Sequence, residues 1–200
     1  MKNQPALLIV DLQNDFCPGG ALGVEGGDLI VPIINRYAEW FQNKGLPIFV
    51  SRDWHPEETK HFKQHGGPWP VHCVRNTKGA EFYQDFMLPE NAIILSKGTD
   101  PEKHGYSVFD AHDSENRPFI ELLKNKKVNE LYIAGLATDY CVRMTSLDAL
   151  KNGFGINVLI DAVKGVDPKD SQKAIEEIKS MGGNLKVLQD VEAELKVIGQ

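Results

Sequence analysis

The sequence is poor in the features that mark secreted and membrane proteins. It has only three cysteines, Cys17, Cys73 and Cys141, an odd number without paired spacing, which favours a reduced compartment over a disulfide framework. No apolar run approaches the ~20 residues that span a bilayer. The short run at residues 6–10 ends at Asp11, too early for the core of a signal peptide. We therefore expect a cytoplasmic protein without a membrane partner.

Basic charge is also scarce. The chain has 28 acidic and 22 basic residues, a formal net charge of −6, and its only lysine-rich stretch is the short segment 124–127. A surface that follows a phosphate backbone needs a basic face, so we exclude nucleic acid as the partner. With 200 residues, 42% of them apolar, the chain can build one core, and we predict a single domain over residues 1–200.

Short apolar runs recur along the chain, most of them rich in Ile, Val or Leu and without alternation, which is typical of strands buried on both faces. These runs are residues 6–10, 47–51, 92–96, 130–134, 156–160 and 185–188. Segments with helical spacing lie at residues 30–44, 138–152 and 168–181. The alternation predicts an α/β protein, a parallel sheet with helices on both faces.

One interval breaks this alternation. Residues 52–91 have little helical periodicity and contain four of the six histidines, His55, His61, His65 and His72. Loops of this length in compact domains are usually functional or disordered, and the aromatic residues here favour a packed loop. We therefore expect chemistry in this segment.

Four strands are each followed by an ionisable or nucleophilic side chain. Asp11, Asp53 and Lys97 follow the first three, and Cys141 lies near the start of the helix after the fourth. Any one of them could be structural, since an aspartate after a strand often caps a turn. Because the carboxyl ends of parallel strands meet at one edge, their coincidence favours a catalytic site there.

Cys141 has two interpretations. It is either a small buried apolar residue or a nucleophile in the first turn of a helix capped by Thr138. In the second case the helix dipole and free N–H groups favour a thiolate and could bind an oxyanion. Asp11 as proton acceptor and Lys97 as electrostatic partner would complete the site.

A metal site is the second candidate. Asp53 and His55, two residues apart in extended chain, point to one side, and His72 returns from the far end of the loop. These donors suit Zn²⁺, Fe²⁺ or Mn²⁺ with open coordination positions, with His61 as a candidate fourth ligand. Loop histidines are also common without a metal, so the spacing leaves both interpretations open.

Four residues in loops after the first strands are candidates for a substrate-binding wall. Phe16, Leu22, Trp69 and Tyr106 could enclose a flat aromatic ring. Each could equally anchor its own loop to the core.

Several motifs together resemble the nicotinamidase/pyrazinamidase branch of the isochorismatase-like cysteine hydrolases. They are LIVDLQNDF (8–16), SRDWHP (51–56), GGPWPVHC (66–73), KGTDP (97–101), Tyr106-Ser107 and GLATDYCV (135–142). The resemblance implies a three-layer, Rossmann-like sandwich with a six-stranded parallel sheet of order 3-2-1-4-5-6. It also implies a long metal-binding loop after strand 2, with Asp53, His55 and His72 as ligands.

The resemblance further implies Asp11, Lys97 and Cys141 as a catalytic triad. A cis peptide bond between Leu136 and Ala137 is implied as well, which would turn the N–H groups of Ala137 and Cys141 toward an oxyanion. The implied reaction is hydrolysis of nicotinamide to nicotinate and ammonia, or of pyrazinamide to pyrazinoate, through a thioester and in NAD salvage. One divalent ion is expected, zinc ahead of iron or manganese, while a monomer and a homo-oligomer both stay open.

Three rival functions were considered. A sister hydrolase acting on another amide, an ether or a ureido compound would lack Asp53, His55 and His72. An iron oxygenase built on two histidines and a carboxylate has no use for a cysteine nucleophile. A nucleotide-binding module would carry G-x-G-x-x-G after the first strand, where Val10-Asp11-Leu12-Gln13 stands instead.

Overall fold

The computed structural model describes residues 4–197. The strands are β1 (Pro5–Val10), β2 (Ile48–Asp53), β3 (Ile93–Lys97), β4 (Glu130–Leu136), β5 (Gly155–Lys164) and β6 (Asn184–Lys186). The helices are α1 (Val31–Asn43), α2 (Phe119–Asn125), α3 (Arg143–Lys151), α4 (Pro168–Ser180) and α5 (Leu188–Val197). Within residues 4–197 no helix combines the length and apolarity that a bilayer crossing requires.

The strands form one parallel sheet in the order β3-β2-β1-β4-β5-β6. The predicted fold class and strand order are therefore confirmed. The chain builds β2 and β3 on one side of β1 and then crosses to build β4 on the other side. This reversal opens a crevice at the carboxyl ends of β1 and β4, the usual ligand position in open α/β sheets.

Both faces of the sheet are apolar because helices cover both. On β1, Leu7 and Ile9 pack with α1 and α5, whereas Ala6, Leu8 and Val10 pack on the opposite face with α2, α3 and α4. All five side chains are fully buried. A strand covered on both sides has no polar face to show, which is why the sequence lacks alternation here.

The backbone is unusual where β1 and β4 meet. Gly135 has φ +111°, and a Cβ there would lie 2.0 Å from the Val10 carbonyl oxygen, so only glycine allows the two strands to approach. β1 ends as Asp11 turns the chain with φ +48°, a left-handed conformation that aspartate tolerates better than most residues. The Leu136–Ala137 peptide bond that follows is cis.

The structure differs from the sequence prediction mainly toward the carboxyl terminus. β5 continues to Lys164, four residues past the predicted end, after a register shift against β4 between Ile133 and Gly135. Leu188 begins α5 instead of ending β6. Neither α2 nor α5 was predicted from the sequence, because the apolar repeat in each is short.

Candidate active site

The ammonium of Lys97 lies at the centre of a buried polar cluster at the carboxyl edge of the sheet. Its Nζ is 2.7 Å from Asp11 Oδ2, 2.5 Å from Asp53 Oδ1 and 3.3 Å from Cys141 Sγ. Lys97 is fully buried, and Cys141 is 6% exposed. The structure thus brings together the three side chains that the sequence grouped as proton acceptor, cation and nucleophile.

These side chains meet because of the strand order. Lys97 ends β3 and Asp53 ends β2, and the two are register partners. Asp11 follows β1, and Cys141 follows β4. Since β3, β2, β1 and β4 are neighbours in the sheet, their carboxyl ends deliver the four side chains to one place.

Two buried polar side chains hold the carboxylates. Ser51 Oγ donates a hydrogen bond to Asp11 Oδ1 at 2.7 Å. The Gln13 amide donates to the Asp53 carbonyl at 2.8 Å and accepts from the Asp53 N–H at 2.7 Å. Gln13 therefore continues the β1 ladder after the backbone has turned away. Neither residue was predicted from the sequence, where each is only a polar side chain beside buried apolar ones.

Burial and mutual contacts set the ionisation states of the cluster. Burial raises the pKa of the Asp11 carboxyl and of the Cys141 thiol, and the nearby Lys97 offsets this only in part. Burial would lower the pKa of Lys97, but the two carboxylates outweigh it and raise that pKa. For Asp53, attraction to Lys97 and His55 outweighs burial and lowers the pKa. Burial of Cys141 therefore opposes the thiolate that the start of a helix favours, and the ammonium of Lys97 offsets this only in part.

Cys141 lies in a single π-helical turn, Thr138–Val142, which precedes α3. Ala137 is the N-cap of this turn. The prediction of Thr138 as the cap is therefore wrong, because the chain enters the turn one residue earlier. Cys141 still lies in the first turn, with its sulfur facing Lys97.

Three buried histidines after β2 form a second group. One ring nitrogen from each of His55, His61 and His72 lies within 4.8 Å of the others. Burial and the neighbouring His55 lower the pKa of His61 to about 3, and burial also lowers the pKa of His72. Both rings therefore stay neutral at neutral pH, which is the state that binds a metal ion.

Backbone carbonyls orient two of the rings. His55 Nδ1 lies 3.0 Å from the Gly98 oxygen and His72 Nδ1 lies 2.7 Å from the Pro70 oxygen. Because a carbonyl only accepts, both Nδ1 atoms carry the proton and leave Nε2 with a lone pair. Among the described residues, the buried side-chain nitrogens without a hydrogen-bond partner are His55 Nε2 and His61 Nδ1. Unpaired ring nitrogens are expected of ligands for a divalent cation.

Asp53 is shared by the two groups. Its Oδ1 contacts Lys97, and its Oδ2 is 3.5 Å from His55 Nε2. The predicted ligand Asp53 therefore borders the cluster of His55 and His72, and the candidate fourth ligand His61 lies inside it. Imidazoles with one carboxylate suit Zn²⁺, Fe²⁺ or Mn²⁺, so the residues present fit a divalent ion.

An apolar pocket opens onto both groups. The four residues predicted as its wall, Phe16, Leu22, Trp69 and Tyr106, all line it, and so does Ala137. Trp69 Nε1 donates to the Tyr106 hydroxyl at 2.8 Å, which holds the two rings together. The pocket has the aromatic lining that a flat ring requires.

Four further apolar side chains line the pocket that the sequence analysis did not select, namely Val24, Leu136, Tyr140 and Val166. Tyr140 packs edge-on against the indole of Trp69, with ring centroids 4.9 Å apart. Val166 follows β5, and its N–H donates to Asp139 Oδ1 at 3.0 Å. The sequence predicts the end of this strand at residue 160, six residues before Val166, so the pattern did not indicate it.

A family model described as the Isochorismatase domain matches residues 5–189. The chain belongs to the isochorismatase family. It is 40% identical over 205 residues to the nicotinamidase of Escherichia coli (strain K12), covering 94% of this chain and 96% of that protein.

Two solved structures of the family are also similar. The pyrazinamidase of Pyrococcus horikoshii in complex with zinc is 49% identical with a TM-score of 0.85, covering 92% of this chain and 99% of that one. PnC1 from L. infantum in complex with nicotinate is 32% identical with a TM-score of 0.83, covering 94% of each chain. These likenesses confirm the resemblance found in the sequence and the prediction that this isochorismatase-family chain is an enzyme.

Proposed function

We propose that the chain is a metal-dependent cysteine amidohydrolase that converts nicotinamide to nicotinate and ammonia, and pyrazinamide to pyrazinoate. The contact of Lys97 Nζ with both Asp11 Oδ2 and Cys141 Sγ carries this proposal. It supplies a nucleophile that lines the aromatic pocket, with a proton acceptor and a fixed positive charge beside it. The names of the relatives support the choice of substrate.

We propose that Cys141 enters the reaction as a thiol, because burial raises its pKa. Asp11 accepts the Cys141 proton as the sulfur attacks the carboxamide carbon, and the C–S bond forms. The N–H groups of Ala137 and Cys141 stabilise the oxyanion. Asp11 then returns the proton to the leaving nitrogen, the C–N bond breaks and ammonia departs. A thioester on Cys141 remains.

Water completes the reaction. Asp11, ionised again, accepts a proton from a water molecule whose oxygen attacks the thioester carbonyl. The C–S bond breaks, the acid is released, and the Cys141 sulfur recovers its proton from Asp11. Lys97 stays charged throughout, because both neighbouring carboxylates favour its ammonium form. It stabilises the negative charge that develops on sulfur.

The pocket orients the ring. Phe16, Leu22, Trp69 and Tyr106 enclose it, and the buried location keeps bulk water from the thioester. We propose that His55, His72 and Asp53 hold one divalent ion, with His61 as a fourth ligand. When bound, the ion supplies a Lewis-acidic position for a ring nitrogen.

The chemistry suggests a cellular role as well. We propose zinc ahead of iron or manganese, because the imidazole-rich donor set suits it. Nicotinate as product would feed NAD salvage, and we propose a cytoplasmic location from the reduced cysteines.

A pair of cysteine variants tests the nucleophile. In Cys141→Ala we expect nicotinamide turnover, followed as ammonia release, to fall by about 10⁴-fold or more. Cys17→Ala is the matched control, since Cys17 is also buried but, unlike Cys141, is not among the residues that line the pocket. Near wild-type turnover in Cys141→Ala would refute the thioester mechanism.

Chelation tests the metal separately. We expect activity to disappear when the ion is removed and to return when Zn²⁺ is added back. Full activity in protein shown by elemental analysis to be metal-free would remove the ion from the proposal. The cysteine mechanism would then stand by itself.

A further inference from the structure

Two adjacent groups of donor atoms border the pocket, each with the spacing of a cation site. One consists of ring nitrogens from His55, His61 and His72. The other consists of carboxylate oxygens from Asp11 and Asp53 and of Cys141 Sγ, and these atoms also lie within 4.8 Å of one another. Carboxylates with a thiolate are suitable ligands for zinc or cobalt. By donor chemistry alone, this second group could bind a divalent ion.

An ammonium already stands among the second set of donors. Lys97 Nζ lies 2.5–3.3 Å from the two carboxylate oxygens and the sulfur. Its N–H groups donate to Asp53 Oδ1 and to Cys141 Sγ, and the ammonium forms an ion pair with Asp11 Oδ2. Lys97 is fully buried, so bulk water does not compete for this position.

Asp53 joins the two positions. Its Oδ1 faces Lys97 and its Oδ2 faces His55 Nε2, so one carboxylate borders both groups. An ion held by the imidazoles would therefore lie near the Cys141 sulfur. Zinc and cobalt bind thiolate well, and a sulfur bound to metal has its lone pair engaged and is a poor nucleophile.

We propose that the Lys97 ammonium acts as a resident cation that confines a divalent ion to the histidine group and keeps Cys141 free of metal. This inference rests on the proposed metal site and not on the proposed substrate. It gives Lys97 a task beyond stabilising the nucleophile, namely setting the number of metal ions that the pocket holds.

The charge balance supports this task. Asp11 and Asp53 are both buried, and Lys97 is the only lysine or arginine paired with either among residues 4–197. Without the ammonium, two carboxylates and a thiol would remain around the buried space that Lys97 Nζ occupies. Buried charge without a partner is costly, so that space would take up either protons or a cation. In the presence of a soft divalent ion, we expect the cation.

Cobalt binding tests the proposal, with Co²⁺ alone as the probe. A thiolate ligand produces intense sulfur-to-cobalt absorption in the near ultraviolet, whereas imidazole and carboxylate ligands do not. In wild-type protein we expect a single cobalt ion per chain and no such band, even with Co²⁺ in excess. In Lys97→Ala we expect a second ion and the band, and in Lys97→Ala/Cys141→Ser the band is lost.

Lys173→Ala is the matched control, since the Lys173 side chain is 75% exposed on α4, and it is expected to behave like wild type. A band in wild-type protein, or a single ion without the band in folded Lys97→Ala, would overturn the proposal. If Lys97→Ala does not fold by circular dichroism, Lys97→Gln, which is uncharged, takes its place with the same expectation. No readout uses nicotinamide, so a failure here is distinct from a failure of the proposed reaction.

Discussion

The two halves of the pocket are built in different ways. The half around Lys97 comes from the ends of neighbouring strands, whereas His61 and His72 come from the irregular segment between β2 and β3. The sheet positions the first half through strand pairing that extends through the whole core. The second half depends on the contacts of its own loop. Local substitutions should therefore disturb the geometry of the proposed metal ligands more than the geometry around Cys141.

Hydrogen bonds of the loop's own backbone organise the loop half. The Trp69 N–H donates to the His61 carbonyl at 3.3 Å, and the Cys73 N–H donates to Asp15 Oδ2 at 2.7 Å. The His55 N–H donates to the Cys73 carbonyl at 3.0 Å, which ties the start of the loop to its middle. Each of these bonds supports one histidine or its neighbour, so the loss of one would displace a ligand without unfolding the sheet.

The largest effect is expected from the strand half. Asp11→Asn removes the proton acceptor but keeps the shape of the side chain, so kcat/KM for nicotinamide should fall by about 10³-fold or more. Bound zinc should be unchanged, because Asp11 is not among the proposed ligands. Cys141→Ala combined with Asp11→Asn should be no worse than Cys141→Ala alone. A loss below tenfold in Asp11→Asn would argue against its role as the base.

The loop half should respond in metal affinity. His55→Ala removes a ring nitrogen, and the dissociation constant for zinc, measured by competition with a chromophoric chelator, should rise by more than about 100-fold. His65→Ala is the matched control, since His65 lies in the same loop but is exposed and bonds the Glu57 carbonyl. Equal affinities in the two variants would contradict the histidine site.

Substitutions at two glycines, one in each half, compare how much each half contributes to the stability of the fold. At Gly135 an added Cβ would lie 2.0 Å from the Val10 oxygen, and at Gly67 it would lie 2.2 Å from the His61 oxygen. Gly135→Ala should lower the free energy of unfolding by about 3 kcal/mol and Tm by about 6–12 °C. Gly67→Ala should lower Tm less but weaken zinc binding by about tenfold. The reverse pattern, measured by calorimetry and chelator competition, would show that the loop carries the stability.

The smallest effect concerns pH. Asp11 must be ionised to accept the thiol proton, so activity falls as pH drops through its pKa, which burial raises above the usual aspartate range. Ser51 Oγ donates to the ionised form and lowers that pKa. In Ser51→Ala the acid limb of kcat/KM should therefore move to higher pH by about 0.5–1 unit. Ser51→Thr keeps a hydroxyl and should restore the wild-type acid limb. An unshifted limb in Ser51→Ala would show that this hydrogen bond does not lower the pKa of Asp11.

Much of the strand half could be predicted from the sequence. Buried apolar runs locate β1 to β4, and parallel pairing brings their ends together, so Asp11, Lys97 and Cys141 follow from topology. The prediction of Thr138 as the N-cap of the Cys141 turn was wrong, because a sequence pattern does not locate the start of a helix to within one residue. The raised pKa of the Cys141 thiol could not be foreseen either, since it depends on how deeply the sulfur is buried.

The loop half was less accessible. No periodicity indicates where His61 lies relative to His55, because its position depends on bonds such as the one from Trp69. Family motifs carried the assignment of Asp53, His55 and His72, whose roles remain predictions. Val166 was overlooked because β5 extends past the polar residues at which the apolar run in the sequence ends.

Gly98 carries a consequence for engineering. It directly follows Lys97, its carbonyl accepts from His55, and a side chain at this position would collide with that imidazole. Transplanting the histidine loop alone into a relative that lacks metal would therefore fail wherever a larger residue occupies this point. The histidine site and the Lys97 cluster are therefore linked through a single peptide unit.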